Sequence, residues 1–318
     1  MGNANVAVLG GRMAPDLGKK GTVTDVTFYE AKRGADSVTL LEPAKYPEKL
    51  SSLFYSVGMA DYALLVVEKI DSNLGETIVM ADAMGLDEGW VVLRNYIQRE
   101  QLAPLFAGTV FEKYAYVEDD PIAVREMLLD VAASRQRVPG DGHGTCPVDS
   151  HFNVRGVGPV VLGSVVDGRF RKHDKMRLLP QGKEVVLKSI QIHDADSDFA
   201  VAGDHVGFAL RGVDADELDR GQVITTDPAA KVSPSFEGRA RLVKYWPSPV
   251  EAGMALHAGH WMQMVPCRVV SSSHGGDFRE PELAINFDSP ITHLPGDDAL
   301  LMYLEGGKLR VVGTIALN

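Results

Sequence analysis

Short apolar runs set the rhythm of the chain, and what separates them changes along it. In the first third they alternate with segments of helical period. Residues 5–9 (NVAVL), ending in Gly10-Gly11, read as the buried first strand of an α/β domain. Residues 22–29, 37–41, 62–67 and 90–93 read as further strands. Residues 44–57 carry Leu50, Leu53, Phe54 and Val57 on one face and read as a helix, as do residues 75–84. Asp120-Pro121 opens a last helix through Ala133. Alternating strand and helix predicts a mostly parallel sheet covered on both faces. From 151 to 224 the helical segments vanish. VVLGSVV, KMRLLP, VVLKSIQI and HVGFALRG follow one another between Gly- and Asp-containing turns, the pattern of a small all-β barrel. Only 214–220 has helical composition there. Residues 234–318 repeat the strand-and-turn pattern and predict a second barrel. The expected class is multidomain α/β plus all-β, with an α/β domain at 1–134, a β-barrel at 135–228 and another at 229–318.

Composition narrows this picture only slightly. A hydrophobic content of 45% in 318 residues suits a protein with real cores. No run of 18 apolar residues predicts a membrane helix, and the first residues lack the pattern of a secretory signal. Two cysteines, Cys146 and Cys267, are too few for a disulfide framework, so the cytoplasm is the expected compartment. The net charge of −11 argues against a general coating of nucleic acid, and no DNA or membrane partner is expected. Most of the acid excess sits in the first third, where 12 Lys and Arg face 20 Asp and Glu over residues 1–134.

The words FNVRGVGPVVLGSV, KHDKMRLLPQGKEVVLKSIQIH and AGDHVGFALRGVDADELDRGQVI fall in one order and spacing across 152–224. They resemble the second domain of the elongation factor Tu family of translational GTPases, archaeal and selenocysteine-specific members included. Pro159 stands where the family usually has Thr. Residues 251–253, Leu256-His257, 263–268 and Arg310 to Gly313 resemble the family's third domain. The α/β third resembles its P-loop GTPase domain in element order. There the motifs that carry the chemistry depart from the family. Gly18-Lys19 is followed by Lys20 rather than Ser or Thr, and Met13 stands where the loop needs its first Gly. The switch threonine corresponds to Val23. The family's aspartate-x-proline-glycine-histidine corresponds to Glu42-Pro43-Ala44-Lys45-Tyr46, and its guanine-reading motif to Arg94-Asn95-Tyr96-Ile97. Four departures together imply a degenerate GTPase-like domain.

The resemblance implies that tRNA or ribosomal elements bind through the barrels, with GTP hydrolysis lost and no cofactor expected. Two alternatives stand. One is an active GTPase with a divergent loop, for which Gly18, Lys19, Lys20 and Glu42 would hold GTP and Mg²⁺. The other is a protein-interaction module that regulates a true translation factor, its cue being the acidic first domain. In the first barrel a run of basic residues includes Arg155, Arg169 and Lys172. Such side chains near Gly-rich turns suit RNA phosphates, or equally an ordinary solvated face, because Asp196 and Asp198 follow. The family's leucine-arginine-glycine segment, which helps hold the aminoacylated end of tRNA, corresponds to Leu210-Arg211-Gly212. The family's Asn nearby corresponds to His205. His143, Cys146 and His151 have a spacing that could hold a metal, but no fourth ligand is near, and a linker at 134–147 running into a strand is the simpler reading.

Overall fold

The computed structural model describes residues 2–135, 142–193 and 195–317. The expected linker at 134–147 therefore lies partly outside the described residues, at 136–141. The chain divides into two compact units. The first comprises Met1–Gln136, Leu242–Pro247 and Leu300–Thr314, and the second Arg137–Arg241, Ser248–Ala299 and Ile315–Asn318.

The first unit is built on a seven-stranded mixed sheet. Its strands are β1 (Asn3–Gly10), β2 (Lys19–Val23), β3 (Thr27–Arg33), β4 (Asp36–Glu42), β5 (Tyr62–Val67), β6 (Gly89–Leu93) and β7 (Ala115–Val117), in the order β2-β3-β4-β1-β5-β6-β7. β4, β1, β5, β6 and β7 run parallel, and β2 and β3 fold back antiparallel. β1 and β5 are buried almost throughout, as strands inside a largely parallel sheet should be, β1 taking the buried Asn3 and Asn5 with it. On one face, α1 (Ala14–Leu17) and α5 (Pro121–Ser134) bury Met13, Leu17, Val124 and Leu128 against Val6, Val8, Leu40 and Leu64. The remaining helices are α2 (Leu50–Gly58), α3 (Ser72–Ala83) and α4 (Arg99–Phe106).

Three local readings change. Residues 22–29 form a hairpin rather than one strand, because the Thr24 hydroxyl accepts from the Val26 N–H and turns the chain. The helix expected from 44 starts only at Leu50, since Pro47 disfavours helical geometry at the residue before it. α4 was hidden by its polar sequence and by Pro104 inside it. A reciprocal cap between Gln98 and Gln101 starts that helix.

The first barrel uses β8 (Thr145–Val154), β9 (Gly158–Ser164), β11 (Lys175–Leu179), β12 (Lys183–Ile192), β15 (His205–Arg211) and β16 (Val223–Thr225). They pair in the order β11-β16-β8-β9-β15-β12, and β12 returns to β11 to close the ring. β10 (Arg169–Arg171) and β14 (Phe199–Val201) form a separate pair, and β13 (Ala195–Ser197) extends β12. The helical interval shrinks to a 3₁₀ turn at Ala215–Glu217. In β12 the buried positions are Val185 and Leu187, then Ile190 and Ile192. A bulge between Leu187 and Ser189 shifts the period-two pattern by one, so both pairs face the core and Lys188 is left outside. Phe170 and Phe208 meet edge to face at 5.1 Å within that core. The second barrel is closed by β17 (Lys231–Leu242), β18 (Ala255–His260), β19 (Gln263–Ser273), β20 (Glu282–His293), β21 (Asp297–Met302) and β22 (Val311–Leu317), in the order β17-β20-β19-β18-β21-β22.

Candidate functional site

Two places collect the chemistry-bearing residues. The first is the edge of the α/β sheet where β1, β5 and β6 end, a position that favours ligands in open α/β sheets. Here the protein's own ions line one side of it. Arg94, just past β6, donates to Glu68 at 2.8 Å, to both oxygens of Asp119 at 2.8 and 2.9 Å, and to the Arg12 carbonyl at 3.0 Å. Those carboxylates hold the guanidinium above its ordinary range, Asp119 most of all. Asn95 donates to the Glu68 carbonyl at 2.9 Å. A side chain at Gly11 would meet the Glu68 carboxyl group within 2.8 Å, so that carboxylate lies directly over the backbone after β1. The cleft at this edge, bounded by Gly10, Val66 and Glu68 on the strand side and by Tyr46, Asn73 and Thr77 opposite, has a volume of about 200 Å³. That is below the ~300–1,000 Å³ usual for small-molecule sites.

The residues named for a nucleotide are spread around this unit. Gly18 ends α1 in extended geometry, and a Cβ there would come within 2.9 Å of the Glu30 backbone. Lys19 and Lys20 lie on β2, an exposed edge strand, opposite Glu30 and Tyr29. Glu42, at the end of β4, accepts from the Tyr29 hydroxyl at 3.1 Å. Val23 is exposed on β2, and the Tyr46 hydroxyl donates to the Asn73 carbonyl at 2.9 Å. Behind Tyr46 lies a strong buried pair. Glu76 on α3 is 3% exposed and accepts from the Arg310 N–H at 2.8 Å, from its Nε at 3.1 Å and from its Nη2 at 2.5 Å. Arg310 Nη1 also donates to the Pro47 carbonyl at 3.0 Å. The segment 43–47 is thus tied at both Tyr46 and Pro47.

The second place is a rim of the first barrel, at the β8–β9 hairpin. Arg155 is exposed in the turn of that hairpin. Gly158 follows it, and β9 runs against β15 so that Val160 pairs with Ala209. Arg211, at the far end of β15, is therefore level with the start of β9. Lys188, pushed outward by the bulge, donates to the Val157 carbonyl at 2.9 Å. Phe152 and Val157 add exposed apolar surface beside these three cations. Pro159 falls just past the β9–β15 register and lies opposite Asn153 in the β8–β9 register.

Bond by bond, the basic run separates. Lys172 binds Asp198 at 2.8 Å, Lys175 binds Glu184 and Lys183 binds Glu217. Arg177 donates to the Asp227 carbonyl. Among the described residues the side chains of Arg155, Arg171 and Arg211 have no hydrogen-bond or ion-pair partner. His205 does not join the rim. It starts β15, six residues from Arg211, about 20 Å at the ~3.3 Å rise of a strand. It is half-buried beside Ser164, with Oγ to Nδ1 at 3.3 Å, and burial and His193 push its pKa down to about 4, so it is neutral at pH 7. Arg169 lies level with Val201, next to the turn that leads into His205. Of the five RNA candidates, then, Arg155 and Arg211 come together and Arg169, Lys172 and His205 stand apart. Lys188 belongs with the first two. In the sequence the irregular alternation of VVLKSIQI was the cue for it, since one extra residue must leave the core face.

Cys146 is buried in β8, where burial raises its thiol pKa, and the backbone of His143 bridges to that of Arg169. No cluster of three metal-ligating side chains occurs among the described residues. Cys267 and Trp246 are buried, and Trp261 is half-buried.

Comparison with known proteins agrees with this architecture. Residues 158–225 match the family model for elongation factor Tu domain 2. The chain is 33% identical over 299 residues to the uncharacterized protein MJ0325 of Methanocaldococcus jannaschii, covering 94% of this chain and 93% of that one. It is 31% identical over 296 residues to elongation factor 1-alpha of Metallosphaera sedula, covering 79% and 67%. Against the selenocysteine-specific elongation factor of Methanocaldococcus jannaschii it is 24% identical and spans 58% of that protein's length. The crystal structure of translation elongation factor SelB from Methanococcus maripaludis superposes over 99% of this chain and 79% of its own, with a TM-score of 0.80 and 19% identity. An α/β domain and two β-barrels in this order, the domain 2 match and relatives that run nearly the length of the chain lead to one conclusion: the chain is elongation-factor-like and belongs to the elongation factor Tu family.

Proposed function

We propose that this protein works as a translation factor that grips RNA at the rim of its first barrel and does not use a GTP switch. The observation that carries the reading is the pair of unpartnered guanidinium groups at Arg155 and Arg211, with Lys188 alongside. Unpaired arginines can take phosphate oxygens in a bidentate fork without first giving up an internal partner. Phe152 and Val157 offer apolar surface on which an unstacked terminal base can rest. The resemblance of Leu210-Arg211-Gly212 to the family's tRNA-end segment makes the acceptor end of tRNA the expected ligand. The three domains at 1–134, 135–228 and 229–318 then divide the work, with the barrels binding and the first domain serving another purpose.

The sheet edge does not fit a guanine nucleotide with Mg²⁺. A triphosphate needs backbone N–H groups and a lysine after the first strand. The backbone at Gly11 faces the Glu68 carboxylate, and Lys19 and Lys20 point from an edge strand. No hydrolytic step is assigned to these residues. The test is fluorescence anisotropy with labelled tRNA, aminoacylated and deacylated, over a salt series. Arg155→Ala and Arg211→Ala should each weaken binding several-fold and reduce the salt slope by about 1. Wild-type affinity in both variants would contradict the reading.

A further inference from the structure

The same sheet edge that rejects phosphate has the makings of a protein-docking surface. Three loops meet there: 68–71 after β5, 94–100 after β6 and 118–122 after β7. Asn95 joins the first two through the Glu68 carbonyl, and Arg94 joins the second and third through Asp119. Each segment exposes one large apolar side chain, Ile122 from the first turn of α5. Tyr96 is 97% exposed, Ile122 77% and Ile70 43%. Tyr96 is not a loose side chain on a loose loop. Asn95 and Tyr96 both hold positive φ, 54° and 61°, in a turn braced by the Asn95 bond and by Gln98 Nε2 donating to the Tyr96 carbonyl at 3.1 Å. Non-glycine residues take this conformation at a cost, so the turn persists because its surroundings impose it.

Charge says what would cover these anchors. The three loops carry Glu68, Asp71, Glu100, Glu118, Asp119 and Asp120 against Lys69, Arg94 and Arg99. All three cations are already engaged: Lys69 by Asp71, Arg94 by Glu68 and Asp119, and Arg99 over the Tyr116 ring at 4.2 Å. Glu100 and Glu118 are exposed and have no ion-pair partner among the described residues. We infer that this edge binds a segment of another protein in which Lys or Arg alternates with apolar residues. The apolar residues would sit on Tyr96, Ile122 and Ile70, and the cations would meet Glu100, Glu118 and the outer faces of Asp119 and Asp120. An exposed tyrosine among carboxylates also suits a guanidinium stacked on its ring. RNA is disfavoured by the same charges.

This inference rests on the reading that the edge takes no nucleotide, and its test is separate. A fluorescein-labelled synthetic peptide alternating Leu and Arg is titrated with the full chain, beside a counterpart with Glu for Arg. Saturable binding of the Arg peptide is expected, with none of the Glu peptide. Tyr96→Ala and Ile122→Ala, both at exposed positions that leave the fold intact, should each weaken it by about tenfold. Equal binding of the two peptides, no saturable binding, or wild-type affinity in both variants would overturn it. So would loss of labelled-tRNA binding in Tyr96→Ala, which would make the edge an RNA surface. A positive titration with GTP alone would instead overturn the reading on which the inference rests.

Discussion

The sheet edge and the barrel rim both present arginines, and the two sets are used in opposite ways. Arg94 and Arg310 turn most of their donors inward, onto Glu68, Asp119, Glu76 and main-chain carbonyls. Arg155 and Arg211 have no internal partner among the described residues. A guanidinium with its donors satisfied by buried or half-buried carboxylates holds structure together. One left in solvent next to exposed apolar surface is available to a ligand. The proposed reading therefore looks for the ligand at the rim rather than at the sheet edge that the family resemblance would suggest.

The sharpest way to break the comparison is to remove Arg310. Arg310→Ala leaves the Glu76 carboxylate buried without its cation, and unfolding in urea should show a loss of about 3–5 kcal/mol. The same change at Arg155 or Arg211 should alter stability by no more than about 0.5 kcal/mol while weakening tRNA binding. If the rim variants were the unstable ones, the division would fail.

Next in size is a pH effect at His205. Its folded pKa of about 4 lies below the ordinary 6.5, so between these values the unfolded chain binds the extra proton. Its contribution to stability is full above about 6.5 and is lost as pH falls toward about 4. Melting temperatures across that range should fall more steeply for the wild type than for His205→Asn. Identical slopes would mean that the imidazole is not held neutral by burial. Smaller still is Arg94→Ala, which opens pairs whose carboxylates are about two-fifths exposed and should cost on the order of 1 kcal/mol. It should not create nucleotide binding, because Glu68 remains over Gly11.

Much of the fold was legible in the residues. The unbroken run YALLVV became the interior strand β5 at the same six positions, and VVLKSIQI became the heart of β12. What was missed has local causes. A serviceable hairpin at Thr24 looked like a continuous strand, Pro47 delayed α2, and α4 was masked by its polarity and its proline. The candidate site was only half legible. Arg155 and Arg211 were named one by one, but no linear pattern says that β9 and β15 bring them to one rim. His205 lay close to Arg211 in sequence, yet a strand carries six residues to the other end of the barrel. The ion pairs that occupy the sheet edge were likewise invisible, since Glu68, Arg94 and Asp119 come from three separate loops.

The central claim is that the first unit has given up its nucleotide and that RNA is held elsewhere. Calorimetric titration of the full chain with GTP and Mg²⁺ tests it most directly. No saturable heat is expected at micromolar ligand; binding with a micromolar dissociation constant would contradict the account.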